Sequence, residues 1–135
     1  MNIRYVSFWI IVCVGLLVAI VQFLADKFFL YWQWWWLDVV THFLGGIFVA
    51  ALFIWAYAFF LKKTPGLLPT LLVVLAVGIL WELFEYSTGM MRTDMEGYAF
   101  DTVSDIIMDV LGAGTLVYLL LVAYGANKNP LEAGF

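Results

Sequence analysis

Residues 101–124 read DTVSDIIMDVLGAGTLVYLLLVAY, acidic at the start and apolar from Val110 onward. Asp101, Asp105 and Asp109 recur every four residues, a helical spacing that predicts one acidic helix face rather than an alternating strand. After Asp109 about fifteen apolar residues remain, fewer than the roughly 20 that cross ~30 Å of hydrocarbon. Such a helix inserts stably only when neighbouring helices cover its acids. The segment therefore predicts a bundle inside a membrane, not a set of isolated spans.

The rest of the chain supplies those neighbours. Segments 7–25, 38–61 and 67–86 are each long and apolar enough to cross, and with 101–124 they make four spans. The break Lys62-Lys63-Thr64-Pro65-Gly66 separates the second from the third. Hydrophobic residues make up 66% of the 135 and charged residues 12%, about half the charge of a soluble domain. Mean hydropathy is +1.02. A chain this short exposes most of its surface and could not hide so much apolar side chain from water. The expected fold is all-α: one integral membrane domain over residues 1–135, a polytopic four-transmembrane-helix bundle.

Composition also excludes several chemistries. The one cysteine, Cys13, lies in an apolar run, so no internal disulfide, thiolate zinc site or iron–sulfur cluster is expected. It reads as a small apolar side chain. With one histidine there is no bis-histidine haem within a chain. An acidic balance, ten acids to six bases, argues against nucleic acid as a partner. The start Met1-Asn2-Ile3-Arg4 before an apolar run imitates a secretory signal. Phe23-Leu24-Ala25 is a poor cleavage site, however, and an uncleaved first span is expected.

Basic residues set the expected orientation. Arg4, Lys62, Lys63 and Lys128 share one side and Lys27 and Arg92 the other, which predicts a multi-pass inner (cytoplasmic) membrane protein with both termini cytoplasmic. Tyr31-Trp32-Gln33-Trp34-Trp35-Trp36 then lies at the outer interface, where indole rings suit the headgroup region. An aromatic belt is the reading preferred over a ligand cage.

Six acids fall within the spans or at their ends: Asp38, Glu82, Glu85, Asp101, Asp105 and Asp109. His42 joins them, with no lysine or arginine. Each ionised group at mid-bilayer costs about 2.5–3.5 kcal/mol or more, so they are not expected to lie scattered in lipid. Topology places all seven towards one membrane face. Asp38 and His42 are four apart and Glu82 and Glu85 three apart, so each pair shares a helix side. Gly45, Gly46, Gly78 and Gly112 lie on the same sides, where small residues let membrane helices approach closely. Val103, Ile106 and Ile107 face elsewhere.

Three arrangements would relieve clustered carboxylates. A divalent cation would neutralise them, and an oxygen-rich set with one histidine suits Mg²⁺, Mn²⁺, Ca²⁺ or iron. The candidate metal ligands are Asp38, His42, Glu82, Glu85, Asp101, Asp105 and Asp109. Protonated or water-bridged carboxylates could instead serve a proton or cation path. A structural polar network closed by Arg92 or Lys27 is the third. Glu85 and Asp101 are also read as solvated or capping groups, Asp94 and Glu96 as wet loop acids, and Met90 and Met91 as poor evidence of a soft-metal site.

The ordered set Asp38-x-x-x-His42-Phe43-x-Gly45-Gly46, Trp81-Glu82-x-x-Glu85 and Asp101-Thr102-x-x-Asp105-x-x-x-Asp109-x-x-Gly112-Ala113 resembles small bacterial membrane proteins of the YjdF-like type. More distantly it is similar to the VanZ-like group. The likeness covers residues 38–114 and implies a shared fold and polar site. The YjdF-like proteins are uncharacterised, and the VanZ-like group is associated with glycopeptide resistance and the cell envelope. This chain departs from the latter in having Asp109 where asparagine is common and in lacking a glutamine after the glutamate.

Three roles are compatible with these features. The first-placed is a non-catalytic accessory subunit of a larger membrane assembly or homo-oligomer. Phe8, Trp9, Phe28, Phe29 and Trp55 would then meet partners, lipid or pigment. The others are a metal-assisted enzyme acting on a lipid or cell-envelope substrate, with Glu85 or Asp101 as a base, and an ion or proton-coupled transporter.

Overall fold

The computed structural model describes residues 3–88 and 98–126. They form α1 (Ile3–Phe28), α2 (Leu30–Gln33), α3 (Trp36–Phe60), α4 (Leu67–Thr88) and α5 (Tyr98–Ala126), with no strand among the described residues. In lipid each backbone N–H and C=O must be paired inside its own segment, which a helix achieves. The chain is a four-helix membrane bundle: α1, α3, α4 and α5 are each long and apolar enough to span a bilayer. All begin at or before the expected residue, and α1 runs furthest beyond it at both ends. The additional residues include Arg4, Tyr5 and Lys27, amphipathic side chains that let a helix continue past the hydrocarbon.

Loop chemistry sets the ends. Phe29 takes a left-handed φ of 53° and breaks α1 from α2. The Tyr31 hydroxyl then donates to Gln22 Oε1 at 2.6 Å and ties α2 back to α1. Burial pushes the Tyr31 phenol up from its ordinary value. The indoles of Trp32, Trp34, Trp35 and Trp36 are exposed, and those of Trp34 and Trp36 stack with centroids 5.9 Å apart. α3 closes with Leu61 N–H donating to the Tyr57 carbonyl at 2.9 Å. Lys62 follows in a second left-handed conformation, φ 57°. Pro69 sits in the first turn of α4, where its missing N–H is not needed.

α3 is the central helix. It packs most extensively on α5, then on α1 and on α4, while α4 also packs on α5. α1 reaches neither α4 nor α5 within 8 Å between Cα atoms. α3 and α5 enter from the same membrane face and α4 runs opposite. Their shared seam has three layers. At one end lie His42, Glu82, Asp105 and Asp109, all buried. A glycine layer follows. Beyond it Ala50, Ala51, Ile54, Val74, Ala113, Leu116, Val117 and Leu120 form the apolar core.

Glycine is required where α3 crosses α5. A Cβ on Gly46 would fall on the backbone carbonyl of Asp109, and one on Gly112 on the carbonyl of Phe43. Lipid gives no hydrophobic reward for helix association, so van der Waals contact between close backbones must hold this crossing. The α1–α3 contact at Gly15 differs. A Cβ there would lie 2.8 Å from Cε2 of Phe48, a side chain that can turn aside. Gly15→Ala is therefore expected to cost less than about 1 kcal/mol in thermal unfolding, offset in part by better helix propensity.

Candidate functional site

His42 occupies the centre of the polar layer because of where α3 places it. Asp38 is one turn before it and the Gly45-Gly46 pair one turn after, so the imidazole looks into the gap that the glycines open. The ridge Thr70, Val74, Gly78, Glu82 of α4 is buried at every fourth residue and brings Glu82 to the same depth. α5 presents Asp105 and Asp109 on successive turns.

The two imidazole nitrogens meet different groups. Nδ1 lies 3.4 Å from Asp109 Oδ2. Nε2 lies 3.8 Å from Asp38 Oδ1 and 3.9 Å from Glu82 Oε1. Asp109 itself is fixed by glycine: a Cβ on Gly78 would stand 2.6 Å from its Oδ2, and one on Gly45 3.6 Å from its Oδ1. No larger residue at 78 would leave that carboxylate in place.

Two groups of potential ligand atoms share His42. Asp38, His42 and Asp105 form one, and His42, Glu82 and Glu85 the other, each with its atoms within 4.8 Å of one another. Glu85 is partly exposed and its Oε1 accepts from the Trp81 indole N–H at 2.9 Å. Glu82 is 5% exposed and Asp105 0%, yet neither oxygen of either carboxylate has a hydrogen-bond partner. A buried carboxylate without a hydrogen-bond donor is costly, and for Glu82 the ion-pair contact is His42 Nε2 at 3.9 Å.

Five of the six expected acids thus gather around His42. Asp101, in the first turn of α5, is exposed and outside both groups. Lys27 does not close the network: its Nζ stands over the rings of Phe23 and Phe28, at 5.8 and 5.5 Å from their centroids. Arg92, Met90, Met91, Asp94 and Glu96 lie outside the described residues. Thr102 was given no role in the sequence, but its buried hydroxyl is unpartnered and lines a crevice with Glu82. Its place seven residues before Asp109, two full helical turns, was the signal available.

Fold and site together define a polytopic helical membrane protein with a buried carboxylate–histidine centre on three of its spans. Residues 2–127 match the family described as Predicted membrane protein (DUF2238), and the chain belongs to that family. The match takes in the first span, which the likeness read from residues 38–114 had left out. Comparison with curated proteins and with solved structures finds no match.

Proposed function

We propose that this protein holds a hard divalent cation between α3, α4 and α5, close to one membrane face. The observation that carries the reading is the pair of buried carboxylates without hydrogen-bond partners, Glu82 and Asp105, beside His42. Two ligands on one ion at about 2.1 Å stand roughly 3–4 Å apart, and the Nε2 separations of 3.8 and 3.9 Å fall in that range. His42 Nε2, Asp38, Glu82 and Asp105 would bind the ion, with Glu85 at its edge and Asp101 outside. Asp109 would hold Nδ1–H and so fix the tautomer, as outer carboxylates do at histidine metal sites. Mg²⁺, Mn²⁺, Ca²⁺ and iron suit the donors.

We further propose an accessory role in a larger assembly of the inner membrane, both termini cytoplasmic; exposed apolar side chains support the assembly, and the distribution of basic residues the orientation. In the most apolar stretch of α1 only 6% of the residues are fully buried, although one side of the helix packs on α3. Phe8, Trp9, Phe28 and Phe29 are exposed, as a surface for partner or lipid requires, whereas Trp55 is partly covered and stacks on Phe59. Native mass spectrometry with metal analysis on protein from unmodified membranes reads both points. About one divalent ion per chain and a partner at fixed stoichiometry are expected. A metal-free, folded chain would overturn the metal reading, and an isolated chain active alone would overturn the accessory one.

One observation favours a second reading, a metal-assisted enzyme on a lipid or cell-envelope substrate. A crevice of about 340 Å³ between α4 and α5, walled by Ile79, Leu83, Tyr86 and Ile106, ends on Glu82 and Thr102. An amphiphile could reach the centre sideways from the bilayer by that route. The envelope association of the VanZ-like group points the same way. Turnover of such a lipid by the metal-loaded protein separates the two.

A further inference from the structure

At the end of the bundle away from His42, two segments far apart in sequence close a second cleft. Ile3 and Arg4 at the start of α1 meet Ala58, Lys62, Lys63 and Thr64 at the end of α3 and the turn beyond, around a volume of about 470 Å³. Among the described residues, three of the chain's six basic residues line it and no acid does. Ala58, 5% exposed, leaves room at its floor.

The backbone at Lys62 sets where its ammonium stands. Just past the C-terminus of a helix, a left-handed residue is ordinarily glycine, since a Cβ there is strained. This chain places a lysine at φ 57° instead and holds its ammonium 5.1 Å from the ring centroid of Phe59, beside the cleft. Phe59, Phe60 and Leu61 next to it are exposed apolar side chains. The cleft thus offers cations at headgroup level with apolar surface directly adjoining.

We propose that this cleft binds the phosphate of an anionic phospholipid in the leaflet at that face. Lys62 and Lys63 meet the phosphate oxygens, for which Lys is a fitting donor, and the exposed Phe59-Phe60-Leu61 edge lies along the acyl chains. The adjoining apolar edge is what favours a lipid over free phosphate. The site is separate from the His42 centre and does not depend on it.

The test is lipid retention by the full chain in native mass spectrometry, after exchange into nanodiscs holding equal phosphatidylglycerol and phosphatidylcholine. Phosphatidylglycerol is expected to be retained on the order of tenfold over phosphatidylcholine, and K62Q/K63Q to bring the ratio near one. Lys62→Gly separates site from scaffold. It relieves the backbone while removing the charge, so the melting temperature holds or rises while retention falls. Equal retention of the two lipids, or a preference that survives K62Q/K63Q, would overturn the proposal. Displacement of the lipid by millimolar inorganic phosphate would assign the cleft to the free anion and overturn the lipid source.

Discussion

Gly46→Ala will separate α3 from α5 and cost on the order of 3 kcal/mol or more, among the largest effects expected from any single methyl group in this chain. The new Cβ falls on the Asp109 carbonyl, with Cα of Asp109 only 2.8 Å away. Both sides of the crossing are helical backbone, so neither can turn aside as Phe48 can at Gly15. Relief requires the helices to part, which opens the most extensive helix–helix interface of the bundle. Asp109 would move with its backbone and abandon its 3.4 Å approach to His42. Unfolding of the detergent-solubilised protein, followed by circular dichroism, measures the destabilisation. Wild-type stability for Gly46→Ala would show that the crossing is not as close as described.

His42→Ala is expected to lower divalent-ion affinity by about a hundredfold or more, a larger effect than any single carboxylate change at the centre. The imidazole belongs to both ligand groups and faces α4 and α5 as well as its own helix neighbour Asp38. Without it Asp38, Glu82, Asp105 and Asp109 face one another with no neutral donor between them. Asp109→Asn keeps the size of the side chain and the Nδ1 contact but removes the charge. A smaller loss, about 10–100-fold, is expected, in keeping with an orienting carboxylate. Isothermal titration with Mn²⁺ on variants checked for helical content gives the comparison. Equal affinity in wild type and His42→Ala would remove the imidazole from the ligand set.

The spans were legible because a membrane imposes a length that hydropathy reads directly, and the break at Lys62-Lys63-Thr64-Pro65-Gly66 divides them unmistakably. The glycine seam was legible too: Gly46, Gly78 and Gly112 fall on the acidic sides and meet Asp109 and Phe43 as small residues at a crossing must. Asp101 shows where the reasoning thins. A spacing of four advances 400° around the helix rather than a full turn, so two steps carry Asp101 about 80° from Asp109 and out of the seam. Which imidazole nitrogen faces which acid was not readable at all, because it depends on the rotation of α3 against α5. The short α2 was missed for a local reason: Trp34-Trp35-Trp36 and its neighbours look like an interfacial belt whatever their backbone does, and the left-handed turn at Phe29 leaves no glycine to mark it.

The layering of the seam bears on how the centre responds to voltage. His42 lies within the first two turns of α3, and beyond the glycine layer the core is closed by alanine, valine, leucine and isoleucine. An electric potential across the bilayer falls mainly through such low-dielectric material, where a full crossing by one charge is worth about 2.3 kcal/mol per 100 mV. A cation or proton arriving at His42 from the nearer face crosses little of that drop. If the centre holds a cation as proposed, its occupancy would follow the ionic composition of the nearer compartment and would respond little to the membrane potential.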